Sequence, residues 1–497
     1  MTEYELLGMN PLKKARYKLK KSIKGFPSAF SNKIKNSGKK IGSFFKSIGA
    51  KTAELANAFI KGNIGNRLSF FIMGLGNIGN GQIIKGLIYF IYQAAFFLYF
   101  AGFGWKYIKD IGTLGTNAGG QVFDPVQQIY IYTQPDNSMK ILLFGVFSLI
   151  LTLVFLGIYF NSVLDGYHAH KLKAVGKNPL SFAQEINEMF DKRFHKTLLA
   201  APTLMVGVLT IIPIVFMVLI AFTNFDKSHQ PPGNLFTWVG LQNFKDLFWN
   251  DPMKSNTFMN ILGWTLVWAV LATFTNYILG MILALMINKK GIKFKKMWRT
   301  VFIVTAAVPQ FVSLLLMSQL LTDQGALNTI LKQFGLIQQS IPFLTDATLA
   351  RMSVVIINIW VGIPYTMLIT TGILMNIPED LYESARIDGA GPFITFTKIT
   401  MPYMLFVTTP YLITQFVGNI NNFNVIYLLT RGNPLSTDYF QAGKTDLLIT
   451  WLYKQTVNEQ NYNLASAIGI ITFILVATFS LLIYNSSKSA KKESDFQ

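Results

Sequence analysis

The sequence predicts an all-α integral membrane protein, and three features indicate this class. Of the 497 residues, 51% are hydrophobic and only 14% are charged, whereas soluble domains carry about 25% charged residues. The hydrophobic residues form several separate runs of roughly 20, the length that a helix needs to cross a bilayer. Basic residues gather between the runs, as they do in the loops of membrane proteins. Together these features indicate a chain that crosses the membrane many times.

We predict about eight membrane-spanning helices. They lie at about 86–105, 141–164, 197–223, 258–288, 300–321, 353–376, 403–429 and 465–485. The apolar run 68–78 is too short to span and is assigned to the membrane interface or to the approach to the first span.

The spans divide the chain into four regions. Residues 1–80 form a basic region, 81–196 hold two spans and a basic loop, 197–487 hold the other six spans, and 488–497 form a tail. The stretch 11–60 mixes phenylalanines with lysines, so it either lies on an anionic membrane surface or forms a flexible basic tail.

The net charge of +20 has two explanations, nucleic-acid binding and the excess of basic residues in cytoplasmic loops. The second is favoured, because the second and fourth loops and the tail are rich in lysine while the odd-numbered loops are not. This bias predicts that both termini are cytoplasmic, that the loop 377–402 is cytoplasmic as well, and that no nucleic acid is bound.

Several kinds of chemistry are excluded or disfavoured. The chain has no cysteine and only four histidines, which show no metal-ligand spacing. Gly74–Gly79 spells GxGxxG but lacks the strand–turn–helix context and the acidic residue of a dinucleotide site. Gly443-Lys444-Thr445 lacks the first glycine of a phosphate loop, since Asp438 takes its place. We therefore expect no catalytic residues, no metal and no cofactor.

The loop 377–402 carries the strongest motif. Its pattern predicts two short helices joined by a turn, because acids cluster early in the first helix and Gly389 and Gly391-Pro392 break it. Phe393, Phe396 and Ile399 then form an apolar stripe that ends at Pro402. A helical hairpin of this kind suits a groove on a partner protein.

This segment resembles the EAA loop of ABC-importer permeases, with serine at position 384 in place of the middle alanine. The matching residues are Glu383, Ala385, Asp388, Gly389, Ala390, Ile399 and Pro402. The resemblance implies that the hairpin docks into an ATPase subunit and transmits its motion to the spans.

From about residue 197 to 487 the chain resembles the permeases of maltose/maltodextrin importers, with the core at about 256–487. The resemblance rests on Ala201-Pro202, Ala221–Asn224, Asn358–Tyr365 and Asn421–Asn424. It implies a type-1 importer permease fold in a bacterial cell membrane. The implied partners are a second permease, two ABC ATPase subunits and an extracellular sugar-binding protein, beside the membrane lipid. Residues 224–257 form only a short loop, unlike the large extracytoplasmic domain of Gram-negative maltose permeases.

One face of the seventh predicted span is polar. Gln415, Asn419 and Asn422 are spaced i, i+4, i+7 and share this face. Amides both donate and accept, so they suit sugar hydroxyls, although they also hold helices together. The resemblance assigns Asn419 and Asn422 to the sugar pathway. Further pathway candidates are Tyr365, Trp360 and Gln319.

The sequence is compatible with more than one sugar substrate and with one other class of transporter. Malto-oligosaccharides are the first expectation, and galacto- or arabinogalacto-oligosaccharides are the second. An ion-coupled secondary transporter would need an ionisable coupling residue within a span, and the sequence offers no convincing one.

The loop charges predict the orientation of the chain in the membrane. A topology reporter fused after Lys296 should report a cytoplasmic position, and one fused after Gly240 an external position, because lysines are retained inside. Activity of the two reporters in intact cells measures this, and the opposite pattern would invert the whole topology.

Overall fold

The computed structural model describes residues 49–124, 128–289 and 291–486. Contacts divide the chain into two units. Of these residues, unit 1 comprises 49–109 and 144–208, and unit 2 comprises 110–124, 128–143, 209–289 and 291–486. The described part is mainly helical, as the sequence predicts, with one two-stranded antiparallel sheet in unit 2.

The elements of the first half are short helices, long apolar helices and the two strands. They are α1 (49–61), α2 (Ile64–Leu68), α3 (Leu75–Gly79), α4 (Ile83–Asp110), β1 (Gly120–Asp124), β2 (Ile129–Thr133), α5 (Ser138–Ala174), α6 (Phe182–Phe190) and α7 (Phe194–Ile220).

The second half is helical throughout its regular elements. They are α8 (Gln242–Lys245, continued by a π-helical turn Asp246–Asn250), α9 (Pro252–Asn288), α10 (Lys295–Ala307), α11 (Gln310–Leu320), α12 (Ala326–Gln333), α13 (Ala347–Leu374), α14 (Glu379–Ile387), α15 (Pro392–Thr395, a π-helical turn Phe396–Thr400, then Met401–Ile420), α16 (Phe423–Leu429), α17 (Leu448–Tyr453, continued by a π-helical turn Lys454–Asn458) and α18 (Tyr462–Ser486).

In unit 1, the segment 49–82 packs through buried asparagines. Asn80 Nδ2 donates to the carbonyl of Gly76 at 2.7 Å and to that of Gly166 in α5 at 3.1 Å. The GxGxxG run is explained by the same packing. Gly74 has φ +87°, and a Cβ there would lie 2.1 Å from the carbonyl oxygen of Gly86. The glycine therefore permits close backbone approach within the unit.

Within the described residues, six helices are long and apolar enough to cross a membrane: α4, α5, α7, α9, α13 and α18. The other two predicted spans, 300–321 and 403–429, are not single continuous helices. The first breaks at Val308, whose ψ of 127° is the extended conformation favoured before proline. The second breaks at Asn421–Asn422, where the Asn422 side chain caps α16.

The core of unit 2 is built on α9, which packs along α13 and α15. Trp264, Trp268 and Ala272 of α9 belong to one buried apolar cluster with Val354 of α13. The two helices approach closely at Gly280, where a Cβ would lie 2.7 Å from Cβ of Thr366. Close packing of this kind is the main attraction between helices in lipid.

A buried ion pair organises the segment between α16 and α17. Lys454 Nζ lies 2.6 Å from Asp446 Oδ2, and the two side chains are 11% and 0% exposed. Asp446 also accepts hydrogen bonds from the Gly443 N–H at 2.7 Å and the Thr450 hydroxyl at 2.9 Å. Burial raises the pKa of the Asp446 carboxyl, and the Lys454 ammonium opposes that rise. The Gly443-Lys444-Thr445 run is thus part of a folded turn.

Breaking this ion pair should destabilise the protein. Lys454→Met should lower stability by roughly 3–5 kcal/mol, because it leaves the Asp446 carboxylate buried without its counter-charge. The double variant Asp446→Asn/Lys454→Met should lose less than the sum of the two single variants. Thermal unfolding of the purified protein measures all three, and strictly additive losses would show that the pair is not coupled.

Candidate functional site

A polar cavity of about 390 Å³ opens among the helices of unit 2. Its lining comes from α9, the α10–α11 junction, α13 and α15. The lining residues are Ala272, Thr273, Asn276, Tyr277, Ala307, Val308, Pro309, Gln310, Ser313, Asn358, Trp360, Val361, Gly362, Tyr365, Thr366, Tyr411, Leu412, Gln415, Asn419 and Asn422. None of these residues carries a formal charge at neutral pH, so the cavity suits a neutral polar ligand.

Five of the six residues predicted from sequence line this cavity: Gln415, Asn419, Asn422, Tyr365 and Trp360. Gln319 does not line it and is exposed on α11. Gln319 lies nine residues after Gln310, which does line the cavity, and nine residues turn an α-helix through about 180°. The two glutamines therefore lie on opposite faces of α11.

A chain of hydrogen bonds fixes the two asparagines. Asn419 Nδ2 donates to Thr273 Oγ1 at 3.0 Å, and Asn422 Nδ2 donates to Asn419 Oδ1 at 3.3 Å. Asn422 Oδ1 accepts from the Val425 N–H at 3.2 Å. The backbone carbonyl of Asn419 accepts from Trp268 Nε1 at 3.1 Å. Asn419 is thereby oriented by two side chains of α9.

Two further amides in the cavity lining have unused hydrogen-bonding atoms. Among the described residues, neither Asn276 Oδ1 nor Asn358 Nδ2 has a hydrogen-bond partner, although both atoms are buried. Buried polar atoms usually find a partner, and a ligand or water is a common one. Trp360 and Tyr365 add half-exposed aromatic rings. The cavity thus combines amides that form hydrogen bonds with flat apolar surfaces.

Sequence reasoning assigned no role to Thr273, Asn276 or Asn358. Each is a polar residue inside an apolar helix, which is the signal that could have identified it. Threonine and asparagine are also common in helix–helix contacts. Only the packing of α9 and α13 against α15 distinguishes the residues that face the cavity.

The predicted hairpin 377–402 is present as two helices joined by a turn. At the end of α14, the Ala390 N–H donates to the Ala385 carbonyl at 2.9 Å and the Gly389 N–H donates to that of Arg386 at 3.1 Å. Gly389 has φ +74°. These two bonds and the left-handed glycine form a Schellman motif, which explains the Asp-Gly-Ala sequence.

The hairpin presents a mixed surface. Ile387 is 86% exposed and Phe393 is 76% exposed, and Glu383 and Asp388 are also exposed. Inside the hairpin, Ala385 is buried, and the Tyr382 hydroxyl lies 3.0 Å from Thr400 Oγ1. Of the remaining predicted residues, Ala390 and Ile399 are partly buried, and Pro402 lies near the start of the Met401–Ile420 segment.

One apolar cluster joins the hairpin to the cavity. Phe396 of the hairpin packs on a cluster built from Tyr277, Met281 and Met404. Tyr277 also lines the cavity, and its hydroxyl lies 2.8 Å from that of Thr408. A displacement of the hairpin therefore has a direct packed route to the cavity wall.

The part of the chain that the structure describes contains no group of three or more His, Cys, Asp or Glu residues able to hold a metal ion. Two of the four histidines lie in separate surface pairs with single carboxylates, His168 at 2.8 Å from Glu54 and His229 at 2.8 Å from Asp226.

Comparison with known proteins identifies the family. Residues 276–490 match the model of the binding-protein-dependent transport system inner membrane component. The galactooligosaccharides transport system permease protein GanP of Bacillus subtilis is 36% identical over 85% of this chain and 97% of its own length. The maltodextrin transport system permease protein MdxF of the same organism is 34% identical over 85% of this chain and 95% of its own length.

A solved structure shares the fold. One chain of a bacterial alginate ABC transporter, in complex with an alginate pentasaccharide-bound periplasmic protein, aligns with a TM-score of 0.50 and 21% identity over 61% of this chain and 96% of that chain. The relatives and the family model indicate the same kind of protein, and the fold is compatible with it. The chain belongs to the family of inner membrane components of binding-protein-dependent transport systems, and it is a membrane permease subunit, not an enzyme.

Proposed function

We propose that this permease forms the pathway for neutral oligosaccharides in an ATP-driven importer. The observation that carries the proposal is the uncharged cavity lined by amides, hydroxyls and aromatic rings from four helical segments. Its lining matches the chemistry of a sugar, which has hydroxyls that donate and accept hydrogen bonds and apolar ring faces that stack on aromatic rings.

The hydrogen bonds indicate different roles for the amides of the cavity. Asn419 is 9% exposed and is bonded to Thr273 and Asn422, so it supports the wall. Asn422 keeps one N–H, and the Gln415 amide has no hydrogen bond to another described residue. We propose that Gln415, on α15, and Asn422, just after its end, contact the sugar directly. Asn358 and Asn276 would contact it from the opposite walls.

The names of the relatives favour two sugar classes, galacto-oligosaccharides and malto-oligosaccharides. Both are neutral chains of hexoses, so the cavity accepts either chemistry. An ion-coupled mechanism is disfavoured, because the cavity lining contains no carboxylate or basic group that could bind a coupling ion.

We further propose the partners of an importer of this kind: a second permease, two ABC ATPase subunits and an extracellular sugar-binding protein. The exposed apolar and acidic side chains of the 377–402 hairpin form the docking surface for an ATPase. The motion of the hairpin would reach the cavity through Phe396 and Tyr277. This arrangement requires the hairpin and both termini to be cytoplasmic, as the loop charges predict.

The sugar site is tested by removing single amides. Asn422→Ala should raise the sugar concentration for half-maximal uptake about two- to tenfold, since one hydrogen bond is worth roughly 0.5–1.5 kcal/mol. Asn419→Ala should act in the same direction, because it removes the partner that orients Asn422. Uptake and sugar-stimulated ATPase activity, measured with malto- and galacto-oligosaccharides of different lengths, provide the readout.

Asn421→Ala is the matched control, because Asn421 is an exposed amide outside the cavity lining. Ile420, which follows Asn419, is unsuitable as a control because it is only 3% exposed, so its truncation would lower the stability of the protein. If Asn422→Ala and Asn421→Ala give the same sugar dependence as the unaltered chain at equal protein level, this face does not contact the substrate.

The coupling role of the hairpin is tested at two positions. Glu383→Lys should abolish uptake by reversing the charge of an exposed docking residue. Gly389→Pro should abolish it as well, because proline cannot adopt the φ of +74°. Gly389→Asn is the control, since asparagine tolerates positive φ and no atom lies within 4 Å of a Cβ at this position. Normal uptake in Glu383→Lys and Gly389→Pro, at normal membrane level, would remove the coupling role.

A further inference from the structure

Helix α6 in unit 1 has a strongly amphipathic sequence. Its apolar residues Phe182, Ile186, Met189 and Phe190 follow the spacing i, i+4, i+7, i+8, so they share one face. Gln184, Glu185, Asn187 and Glu188 lie on the other faces. The helix begins with a capping box between Ser181 and Gln184, which defines its start and favours helix formation.

The structure turns the acidic face of α6 toward the protein. Glu185 Oε1 accepts hydrogen bonds from Lys85 Nζ at 2.9 Å and from Gln82 Nε2 at 3.2 Å. Lys85 also lies 3.2 Å from Asp165 of α5, which accepts from the Tyr89 hydroxyl at 2.8 Å. Glu185 of α6 is thereby joined to the start of α4 and, through Lys85, to Asp165 of α5.

The apolar face of α6 is left exposed. Phe190 is 67% exposed, Met189 47%, Ile186 37% and Phe182 36%, whereas the side chains of Glu185 and Glu188 are 27% and 23% exposed. A surface helix in water has the opposite arrangement, with apolar residues inward and charges outward. An inverted arrangement is expected of a helix that lies on a bilayer.

Position and charge both indicate a bilayer surface. Lys85 lies in the first turn of the apolar helix α4, and Phe190 is separated from the apolar helix α7 by only three residues. The surrounding segment is basic and exposed at Lys173, Lys177, Lys192, Arg193 and Lys196. Residues 173–196 carry these five basic side chains against three acidic ones, Glu185, Glu188 and Asp191, so the segment keeps a net positive charge.

We propose that α6 is an interfacial membrane helix. It inserts Phe182, Ile186, Met189 and Phe190 at the boundary between headgroups and acyl chains, while the flanking lysines and Arg193 bind anionic phospholipid headgroups. The ion pairs of Lys85 with Glu185 and Asp165 hold it at the level of the span ends. This inference concerns the protein–lipid contact and does not depend on which substrate the permease conducts.

The absence of cysteine from the chain permits a direct test. Met189→Cys on the apolar face and Asn187→Cys on the polar face are each labelled with a nitroxide in the full-length protein, reconstituted in nanodiscs that contain phosphatidylglycerol. The label at 189 should collide more with oxygen, which concentrates in the membrane, than with a water-soluble nickel chelate. The label at 187 should show the reverse order, because it is exposed on the same helix but faces water.

Equal exposure of both labels to the nickel chelate would overturn the proposal, as would protection of the label at 189 from both reagents, which would indicate a protein partner. The lipid class is tested by replacing phosphatidylglycerol with phosphatidylcholine. The ratio of oxygen to nickel accessibility at 189 should fall at least twofold in the uncharged lipid, and Lys192→Gln/Lys196→Gln should produce the same fall in phosphatidylglycerol. An unchanged ratio in both experiments would remove the anionic lipid from the proposal.

Discussion

The backbone of a membrane-spanning segment must satisfy its hydrogen bonds within the protein, and this constraint explains where the cavity lies. Irregular backbone is tolerated at membrane depth only where it is buried or lines a polar space. Two predicted spans are interrupted, at Val308–Pro309 and at Asn421–Asn422, and Val308, Pro309 and Asn422 all line the cavity. At the second break, the side-chain Oδ1 of Asn422 accepts a hydrogen bond from the Val425 N–H in place of a missing helical acceptor. The helix breaks therefore supply both the opening and part of its polar wall.

Helix α9 connects the parts of unit 2 that the proposed transport cycle requires. Thr273 holds Asn419, Asn276 and Tyr277 line the cavity, and Tyr277 belongs to the cluster on which Phe396 of the hairpin packs. Because packed interiors resist compression, we expect a shift of the hairpin to reach α9 through this cluster. The same helix would then form both a wall of the cavity and its mechanical link to the hairpin.

Local features of this chain were predictable from sequence, whereas relations between helices were not. The hairpin and its turn at Gly389 follow from glycine conformation and helix-ending signals over a few residues. The shared face of Gln415 and Asn419 follows from the helical period alone. The contributions of Thr273 and Asn358 depend on how α9 and α13 pack, which is set by contacts such as Gly280 against Thr366. The break at Pro309 fixes the register of α11 and places Gln319 away from the cavity lining.

The hydrogen bonds inside the cavity also bear on selectivity. A site whose amides already bond to one another gains little from a ligand that merely fills space, because such a ligand offers no new hydrogen bonds. A sugar hydroxyl can use the remaining N–H of Asn422 while the Thr273–Asn419–Asn422 chain stays intact. The unpartnered atoms of Asn276 and Asn358 add to this preference, since a ligand without matching hydroxyls would leave them unsatisfied. We therefore propose that discrimination arises from hydrogen-bond matching across three helices, while the aromatic rings add affinity with little dependence on the identity of the sugar.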